Sequence, residues 1–240
     1  MIRLLVPGAH AGEVSIDGER HHYLTRVLRL AAGDELEVFD GRGQRFAARL
    51  VEVTESSARL TLEHGVAERP SRAVVIVQGL PKAEKLELVL QKATELGAAA
   101  IAPVSCERSV VKVSGKEEAK LTRWRRIVEE AARQCRRSDV PEVMEVATLA
   151  ERAAVLAKTH VVLVLDEEER AVPLSDAVRA AGERPLALVI GPEGGLSRAE
   201  LERLISLGAK GVTLGSLILR TETAALAALA VIRHLDGALG

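Results

Sequence analysis

The residues whose types and order could do chemistry lie in two loops of the C-terminal half. The first loop, residues 191–195 (GPEGG), follows the apolar run LALVI and precedes a helix that opens with a Ser197/Glu200 capping box. Ligands of open α/β sheets bind beyond the carboxyl ends of the strands, and glycines let backbone amides approach a ligand closely. The loop therefore indicates a ligand site. A strand-to-helix turn that needs glycine only for its backbone conformation would show a similar sequence, so this alternative stays open. It matches neither GxGxxG nor GxxxxGK[ST], which disfavours dinucleotide and P-loop sites.

The second loop, residues 214–220 (LGSLILR), follows the next apolar run and leads into a last helix that we predict over 223–235. Arg220 and Glu222 stand at the mouth of this helix. Taken alone, they are most simply a surface ion pair in which Glu222 also benefits from the helix dipole. The helix itself is apolar almost all round, which predicts burial in the core or against a second subunit.

Positive charge is concentrated in one predicted helix. Between Lys120 and Arg137 there are seven basic residues and only two acidic ones, Glu129 and Glu130. Opposite an apolar stripe, such a face is either simply solvated or part of a phosphate-binding track. The basic residues of two other helices that would extend this track are Lys82, Lys85, Lys92, Arg26 and Arg29.

The elements that must position these residues fall into two predicted domains, 1–70 and 71–240. Residues 2–66 contain the short strand patterns IRLLV, DELEVFD, QRFAARLVEV and SARLTLE, a hairpin signal at Asp40-Gly41, and one helix over 18–29 with Leu24, Val27 and Leu28 as its apolar stripe. The segment GVAERPSR marks the boundary. Beyond it, the runs VVIV, IAPV, VVLVL, LALVI and VTL alternate with helical patterns, and capping boxes mark helix starts at Ser114, Thr148 and Ser197. This order predicts an α/β fold with a mainly parallel sheet covered on both faces.

The composition limits the classes of function. The 240 residues are 48% hydrophobic and 28% charged, with a net charge of -1, which is typical of a globular protein and argues against a polyanion binder over its whole surface. Aromatic residues are only 2%, which disfavours modules that stack successive bases on rings. The cysteines and histidines predict neither a disulfide framework nor a metal site. We expect a cytoplasmic protein without a membrane span.

Four segments, taken in order, carry a resemblance to a known family: ERHHYLTRVLRL, LPKAEKLELVLQKATELGAAAIAPVSCERS, WRRIVEEAARQCRR, and IGPEGGLSRAE with LGSLILRTETA. The chain resembles, from end to end, the RsmE family of 16S ribosomal RNA (uracil-N3)-methyltransferases in the SPOUT superfamily. The resemblance implies a PUA-like β-barrel domain that binds RNA and a C-terminal SPOUT methyltransferase domain whose mainly parallel sheet carries a trefoil knot. It also implies S-adenosylmethionine as cofactor, 16S rRNA, within the 30S subunit, as partner, and a homodimer.

The resemblance also implies roles for individual residues. The cofactor-binding residues are Gly191, Pro192, Glu193, Gly194, Gly195, Leu214, Gly215 and Leu219. Our own hypothesis is that the residues that position the RNA backbone are His22, Arg26, Arg29, Lys82, Lys85, Arg133 and Arg136. Members of the family commonly carry Arg three residues before Arg220, where this chain has Leu217.

Methylation at uracil N3 defines the chemistry that these residues would perform. N3 lies on the Watson–Crick edge, so the base must be unpaired or extruded, and its proton must be removed. Our hypothesis is that Arg220 stabilises the negative charge that spreads to O2 and O4, and that Glu222 or Glu193 holds Arg220 or accepts the proton. The alternatives are a SPOUT methyltransferase that acts on a ribose 2′-hydroxyl and a non-catalytic RNA-binding ribosome assembly factor.

Overall fold

The computed structural model describes residues 2–67, 71–109 and 117–239. Contacts between residues divide the chain into two compact units. The first consists of Met1–Pro70 with Ala132–Val140, and the second of Ser71–Ala131 with Pro141–Gly240. The first unit thus includes a segment from the middle of the chain.

The first unit is built on one mixed sheet. Its strands are β1 (Arg3–Leu5), β2 (Gly12–Asp17), β3 (Glu35–Phe39), β4 (Gln44–Val53), β5 (Ser57–Leu62) and β6 (Val66–Ala67). They are ordered β1-β3-β4-β5-β2, β6 pairs with β4, and only the β1–β3 pair is parallel among the described ladders. Along β4, Phe46, Ala48 and Leu50 are buried and the residues between them are exposed, as its alternating sequence predicts.

The predicted helix over 18–29 is shorter and less regular than expected. Helix α1 (Gly18–His22) continues into a π-helical turn, Tyr23–Val27, closed by a hydrogen bond from Leu28 N to Tyr23 O of 2.9 Å. The wider turn changes which side chains share a face. Leu24 is fully buried, but Val27 is 60% exposed, so the predicted stripe of Leu24, Val27 and Leu28 is wrong at its centre.

The second unit is a parallel sheet with helices. Its strands are β7 (Val74–Gly79), β8 (Ala100–Ser105), β9 (Glu142–Val143), β10 (Ala147–Thr148), β11 (Val161–Leu165), β12 (Leu186–Ile190) and β13 (Lys210–Val212). They are ordered β10-β8-β7-β12-β11-β13, β9 pairs with β8, and every ladder described in this sheet is parallel. The predicted α/β class is confirmed. The trefoil knot stays a prediction.

The helices of the second unit begin close to their sequence signals. They are α2 (Ala83–Glu95), α3 (Glu117–Gln134, which runs on into the first unit), α4 (Leu149–Leu156), α5 (Leu174–Ala181), α6 (Arg198–Ser206) and α7 (Thr221–Leu235). The capping boxes at Thr148 and Ser197 are confirmed, and Ser114 lies outside the described residues. In the described part of the chain, no helix is long and apolar enough to cross a membrane.

The core of the second unit explains where a ligand can bind. Every residue of β7 and β12 is buried, since these central strands are covered on both faces. A ligand therefore has access only at the strand ends. The strand predicted at VTL ends at Val212, so Thr213 and Leu214 already belong to the loop beyond it.

Candidate active site

A cleft of ≈ 550 Å³ opens at the carboxyl ends of β11, β12 and β13. Its walls are the two glycine-containing loops and a third loop that follows β11. Of the residues that the resemblance assigns to cofactor binding, those that line the cleft are Gly191, Pro192, Glu193, Gly195, Leu214, Gly215 and Leu219. Gly194 stands beside the cleft, where its carbonyl oxygen accepts a hydrogen bond of 3.1 Å from Arg108 Nη1.

The glycine loop is closed so tightly that a side chain has no room at Gly191. A Cβ built there would lie 3.0 Å from both Gly195 C and Leu196 N. Gly195 has φ +69, in the left-handed region that favours glycine. The backbone of this loop thus forms part of the cleft wall without side chains of its own at these positions.

One lysine organises the acidic residues of the site. Lys85 Nζ lies 3.3 Å from Glu193 Oε1 and 3.3 Å from Glu222 Oε2. Glu193 Oε1 also accepts a hydrogen bond of 3.2 Å from the backbone N–H of Lys82. Burial acts to raise the pKa of Glu193, but hydrogen bonds from the N–H groups of Glu193 and Lys82 and from Lys85 outweigh it and hold that pKa below its ordinary value.

Arg220 lies directly before α7, exposed to solvent and lining the cleft. Among the residues that the structure describes, its side chain has no hydrogen-bond or ion-pair partner, so Glu193 and Glu222 contact Lys85 rather than Arg220. The guanidinium is therefore available for a ligand. We expected Glu222 or Glu193 to hold Arg220, but the structure shows no contact between either glutamate and Arg220. Both glutamates pair with Lys85 instead.

The third loop of the cleft was missed by the sequence analysis. It follows β11 and contributes Asp166, Glu167, Glu168 and Arg170 to the lining. The same rule that selected the other two loops, a position beyond the carboxyl end of a buried strand, could have selected it. Without glycines, the acidic run has the appearance of an ordinary solvated loop.

The residues that we predict to bind RNA occur in both units. In the first unit His22, Arg26, Arg29 and Arg136 are exposed, and the Arg133 guanidinium carbon lies 4.5 Å from the centre of the Tyr23 ring. In the second unit, Lys82 is exposed and Lys85 is part of the cleft.

Two of these arginines share an unusual backbone conformation. In the part of the chain that the structure describes, the residues other than glycine with positive φ are Arg29, at 56°, and Arg136, at 66°. A left-handed conformation costs free energy for a residue with a Cβ. Both side chains are exposed, and within the described ranges neither has a hydrogen bond or an ion pair.

The positive charge of the predicted basic helix is partly neutralised. Arg123 pairs with Glu87 at 2.8 Å and Arg126 with Glu130 at 3.3 Å. Helix α3 ends at Gln134, so Arg136 and Arg137 lie beyond it, and Arg137 pairs with Asp139 at 2.5 Å. The local excess of charge is therefore smaller than the sequence suggests.

Comparison with known proteins identifies the family. The model of an RNA methyltransferase domain matches residues 67–233, and that of an RNA methyltransferase PUA domain matches residues 16–63. The chain is 38% identical over 231 residues to ribosomal RNA small subunit methyltransferase E of Bacillus subtilis, which covers 92% of this chain and 89% of that protein. It belongs to the ribosomal RNA small subunit methyltransferase E family.

Solved structures of methyltransferases have the same fold along nearly the whole chain. The ribosomal RNA small subunit methyltransferase E of Neisseria gonorrhoeae, bound to S-adenosylmethionine, is 30% identical, with a TM-score of 0.87 and coverage of 98% of both chains. A Legionella pneumophila methyltransferase in complex with the same cofactor is also 30% identical, with a TM-score of 0.81 and coverage of 97% of both chains. The candidate active site lies within the residues matched by the methyltransferase-domain model of the family.

Proposed function

We propose that this chain is a cytoplasmic, S-adenosylmethionine-dependent enzyme that methylates N3 of a specific uridine in 16S rRNA, within the 30S subunit. The observation that carries the proposal is the cleft at the carboxyl ends of the parallel strands. It joins a glycine-lined backbone wall to an arginine without a protein partner among the described residues. Membership in the small subunit methyltransferase E family supports the class of substrate.

The cleft fits a cofactor of this kind. Its volume of ≈ 550 Å³ is within the range of about 300–1,000 Å³ that is usual for small-molecule sites. Because a Cβ at Gly191 would lie 3.0 Å from backbone atoms of the same loop, the loop keeps its tight closure only with glycine there and presents backbone groups to the cleft. The residues that would hold the cofactor are Gly191, Pro192, Glu193, Gly194, Gly195, Leu214, Gly215 and Leu219. When bound, S-adenosylmethionine supplies an electrophilic methyl group on a positively charged sulfur.

Arg220 would stabilise the uracil ring as N3 loses its proton. The negative charge spreads to O2 and O4, and a guanidinium can donate hydrogen bonds to such oxygens. Arg220 can do this without first giving up a partner in the described part of the protein. A lysine in a fixed ion pair, such as Lys85, would have to break two contacts first.

Glu222 is the better of the two candidates for accepting the proton. A carboxylate that accepts several hydrogen bonds is a weak base, and this is the situation of Glu193, whose pKa lies below its ordinary value. Glu222 Oε2 lies 3.3 Å from Lys85 Nζ in an ion pair, and this buried atom accepts no regular hydrogen bond from the described residues. We therefore assign the proton to Glu222, with Lys85 holding that carboxylate in place.

Basic side chains of the first unit would bind the RNA backbone. His22, Arg26, Arg29, Arg133 and Arg136 can contact phosphates without reading sequence. With so few aromatic residues, the extruded uracil would be held by backbone amides, aliphatic side chains and Arg220 rather than between rings. Recognition of a folded RNA shape follows from this arrangement.

We also propose that the enzyme is a homodimer. Several apolar residues of α7 are only half-buried: Ala224, Leu226, Ala227, Ala230, Val231 and Leu235. Leu217 and Ile218, at the rim of the cleft, are each 79% exposed. Apolar surface of this extent next to the site supports association with a second copy. Light scattering coupled to size exclusion measures the molar mass.

Single-turnover methyl transfer tests the proposal. The assay uses saturating RNA and radiolabelled S-adenosylmethionine, and calorimetry first measures cofactor binding. We expect Arg220→Ala to lower the rate roughly 100-fold, the size of effect typical for loss of one charge-stabilising donor. Arg179→Ala, which removes an exposed arginine from α5, is the matched control. A full rate in Arg220→Ala would refute the assignment of Arg220, and absence of cofactor binding in the unmodified protein would favour the assembly-factor alternative.

A further inference from the structure

A short chain of buried hydrogen bonds joins three elements of the candidate active site. Gln78, near the end of β7, is fully buried, and Thr221, the first residue of α7, is 7% exposed. Gln78 Nε2 donates to Thr221 Oγ1 at 2.8 Å, and Thr221 Oγ1 donates to Gly191 O at 2.6 Å. Gln78 Nε2 also donates to its neighbour, Gly79 O, at 3.0 Å.

The direction of these hydrogen bonds is fixed by chemistry. A carbonyl oxygen such as Gly191 O can only accept, so the single hydroxyl hydrogen of Thr221 points to it. Thr221 Oγ1 must then accept a hydrogen from Gln78, which requires the amide nitrogen, not the amide oxygen, on that side. In this relay Gln78 donates to Thr221 and Thr221 donates to Gly191 O. If either hydrogen bond ran in the opposite direction, Gly191 O would lose its donor.

The relay connects both loops that we assign to the chemistry. Gly191 begins the glycine loop, and Thr221 lies between Arg220 and Glu222. The adjacent Gly79 packs directly against the same loop, since a Cβ at Gly79 would lie 2.6 Å from Pro192 N and Pro192 Cδ. The end of β7 therefore contacts the glycine loop and, through Gln78, also holds the start of α7.

We propose that Gln78 is a positioning residue for methyl transfer, acting through Thr221 to hold the glycine loop and the Arg220–Glu222 segment in register. This inference rests on the proposed function. It assigns Gln78 a role of which the sequence showed one sign only, a polar amide at the end of the otherwise apolar run VVIVQG. Misplacement by about 1 Å of groups remote from the reacting atoms can cost about 100-fold in rate.

Four variants test the relay. Gln78→Met and Thr221→Val remove one link each, and we expect the single-turnover rate at saturating cofactor and RNA to fall by roughly 10- to 100-fold. Thr221→Ser keeps the hydroxyl and should stay within about threefold of the unmodified enzyme, because one hydroxyl per residue is all that the relay uses. In Gln78→Glu, an ionised carboxylate only accepts, so Thr221 would turn toward it and away from Gly191 O.

The pH profile of Gln78→Glu separates positioning from packing. Burial raises the pKa of the introduced carboxyl, and only its protonated form can donate to Thr221. Its rate relative to the unmodified enzyme should therefore fall as the pH rises through that pKa. A purely structural role predicts a loss that follows the folded fraction, measured by thermal unfolding, with no such change in profile.

Amide hydrogen exchange supplies a readout that does not depend on catalysis. Gln78→Met and Thr221→Val should speed exchange in both 191–196 and 214–222, and Thr221→Ser should not. The inference is overturned if folded Gln78→Met and Thr221→Val keep the full rate and unchanged exchange. If the unmodified protein transfers no methyl group, the proposed function fails instead, and the exchange experiment still decides whether the relay holds the two loops.

Discussion

Replacement of Arg29 or Arg136 by glycine should stabilise the fold slightly and weaken RNA binding at once. Both arginines have positive φ and exposed side chains, and neither has a hydrogen bond or an ion pair within the described ranges. Glycine tolerates this backbone conformation without penalty. If these positions served only the stability of the fold, glycine would be more favourable than arginine there. We therefore infer that arginine is present for its charge.

The size of each effect can be estimated. A Cβ in the left-handed region costs about 1–2 kcal/mol, and the greater freedom of glycine in the unfolded chain returns about 0.5–1 kcal/mol of that cost. The net gain is about 0.5–1 kcal/mol, or about 1–4 °C in melting temperature for a chain of this length. Loss of one phosphate contact lowers the slope of log affinity against log salt by about 0.7–0.9, which is about 5- to 8-fold in affinity at ~0.1 M salt.

The assay measures the RNA dissociation constant across a salt series, with thermal unfolding of the same samples. Arg29→Ala should lose as much affinity as Arg29→Gly without the gain in stability, since it keeps the Cβ, and Arg29→Lys should keep most of the affinity. Lys158→Ala removes an exposed charge outside the predicted RNA-binding set and is the control. The reasoning is refuted if Arg29→Gly and Arg136→Gly leave the affinity and the salt slope unchanged, or if they destabilise the protein by more than about 1 kcal/mol.

Three further outcomes follow from the site and its surroundings. Glu222→Gln should slow single-turnover transfer by roughly 100-fold and Glu193→Gln by much less, and the reverse order would assign the proton to Glu193. Gly191→Ala should weaken cofactor binding by at least about 10-fold in calorimetry, because its Cβ would lie 3.0 Å from backbone atoms of the same loop, and unchanged affinity would remove that loop from the cofactor site. Burial and, next, the charge of Glu200 raise the pKa of Cys106 to about 12. At pH ~8 this thiol should therefore be alkylated on the order of a thousandfold more slowly than in the denatured protein, as followed by mass spectrometry.

The pattern of apolar residues was sufficient to predict strands that have one buried and one exposed face, or two buried faces. The patterns QRFAARLVEV and VVLVL coincide with β4 and β11 residue for residue. Strand β2 was missed because only Ile16 of its six residues is buried, so the segment has too few apolar positions to show a period. The π-helical turn was missed because a helical period is assumed when a stripe is assigned, and one wider turn moved Val27 out of the core.

The candidate site divides in the same way. The rule that ligands bind beyond strand ends, with the glycines and the segment ILRTETA, located two of the three loops. The contacts between side chains that are distant in sequence could not be predicted. No local sequence pattern indicates that Lys85 lies between Glu193 and Glu222, or that Arg220 has no partner among the described residues. The contact between Gln78 and Thr221, 143 positions apart in sequence, is of the same kind.

The position of the transferred methyl group tests the central claim most directly. Free 16S rRNA and assembled 30S particles would each be incubated with the enzyme and isotopically labelled S-adenosylmethionine. The RNA would then be digested and analysed by nucleoside mass spectrometry with fragment mapping. We predict label in 3-methyluridine at one site. Label on a ribose 2′-oxygen, on another base, or in neither substrate would contradict the account.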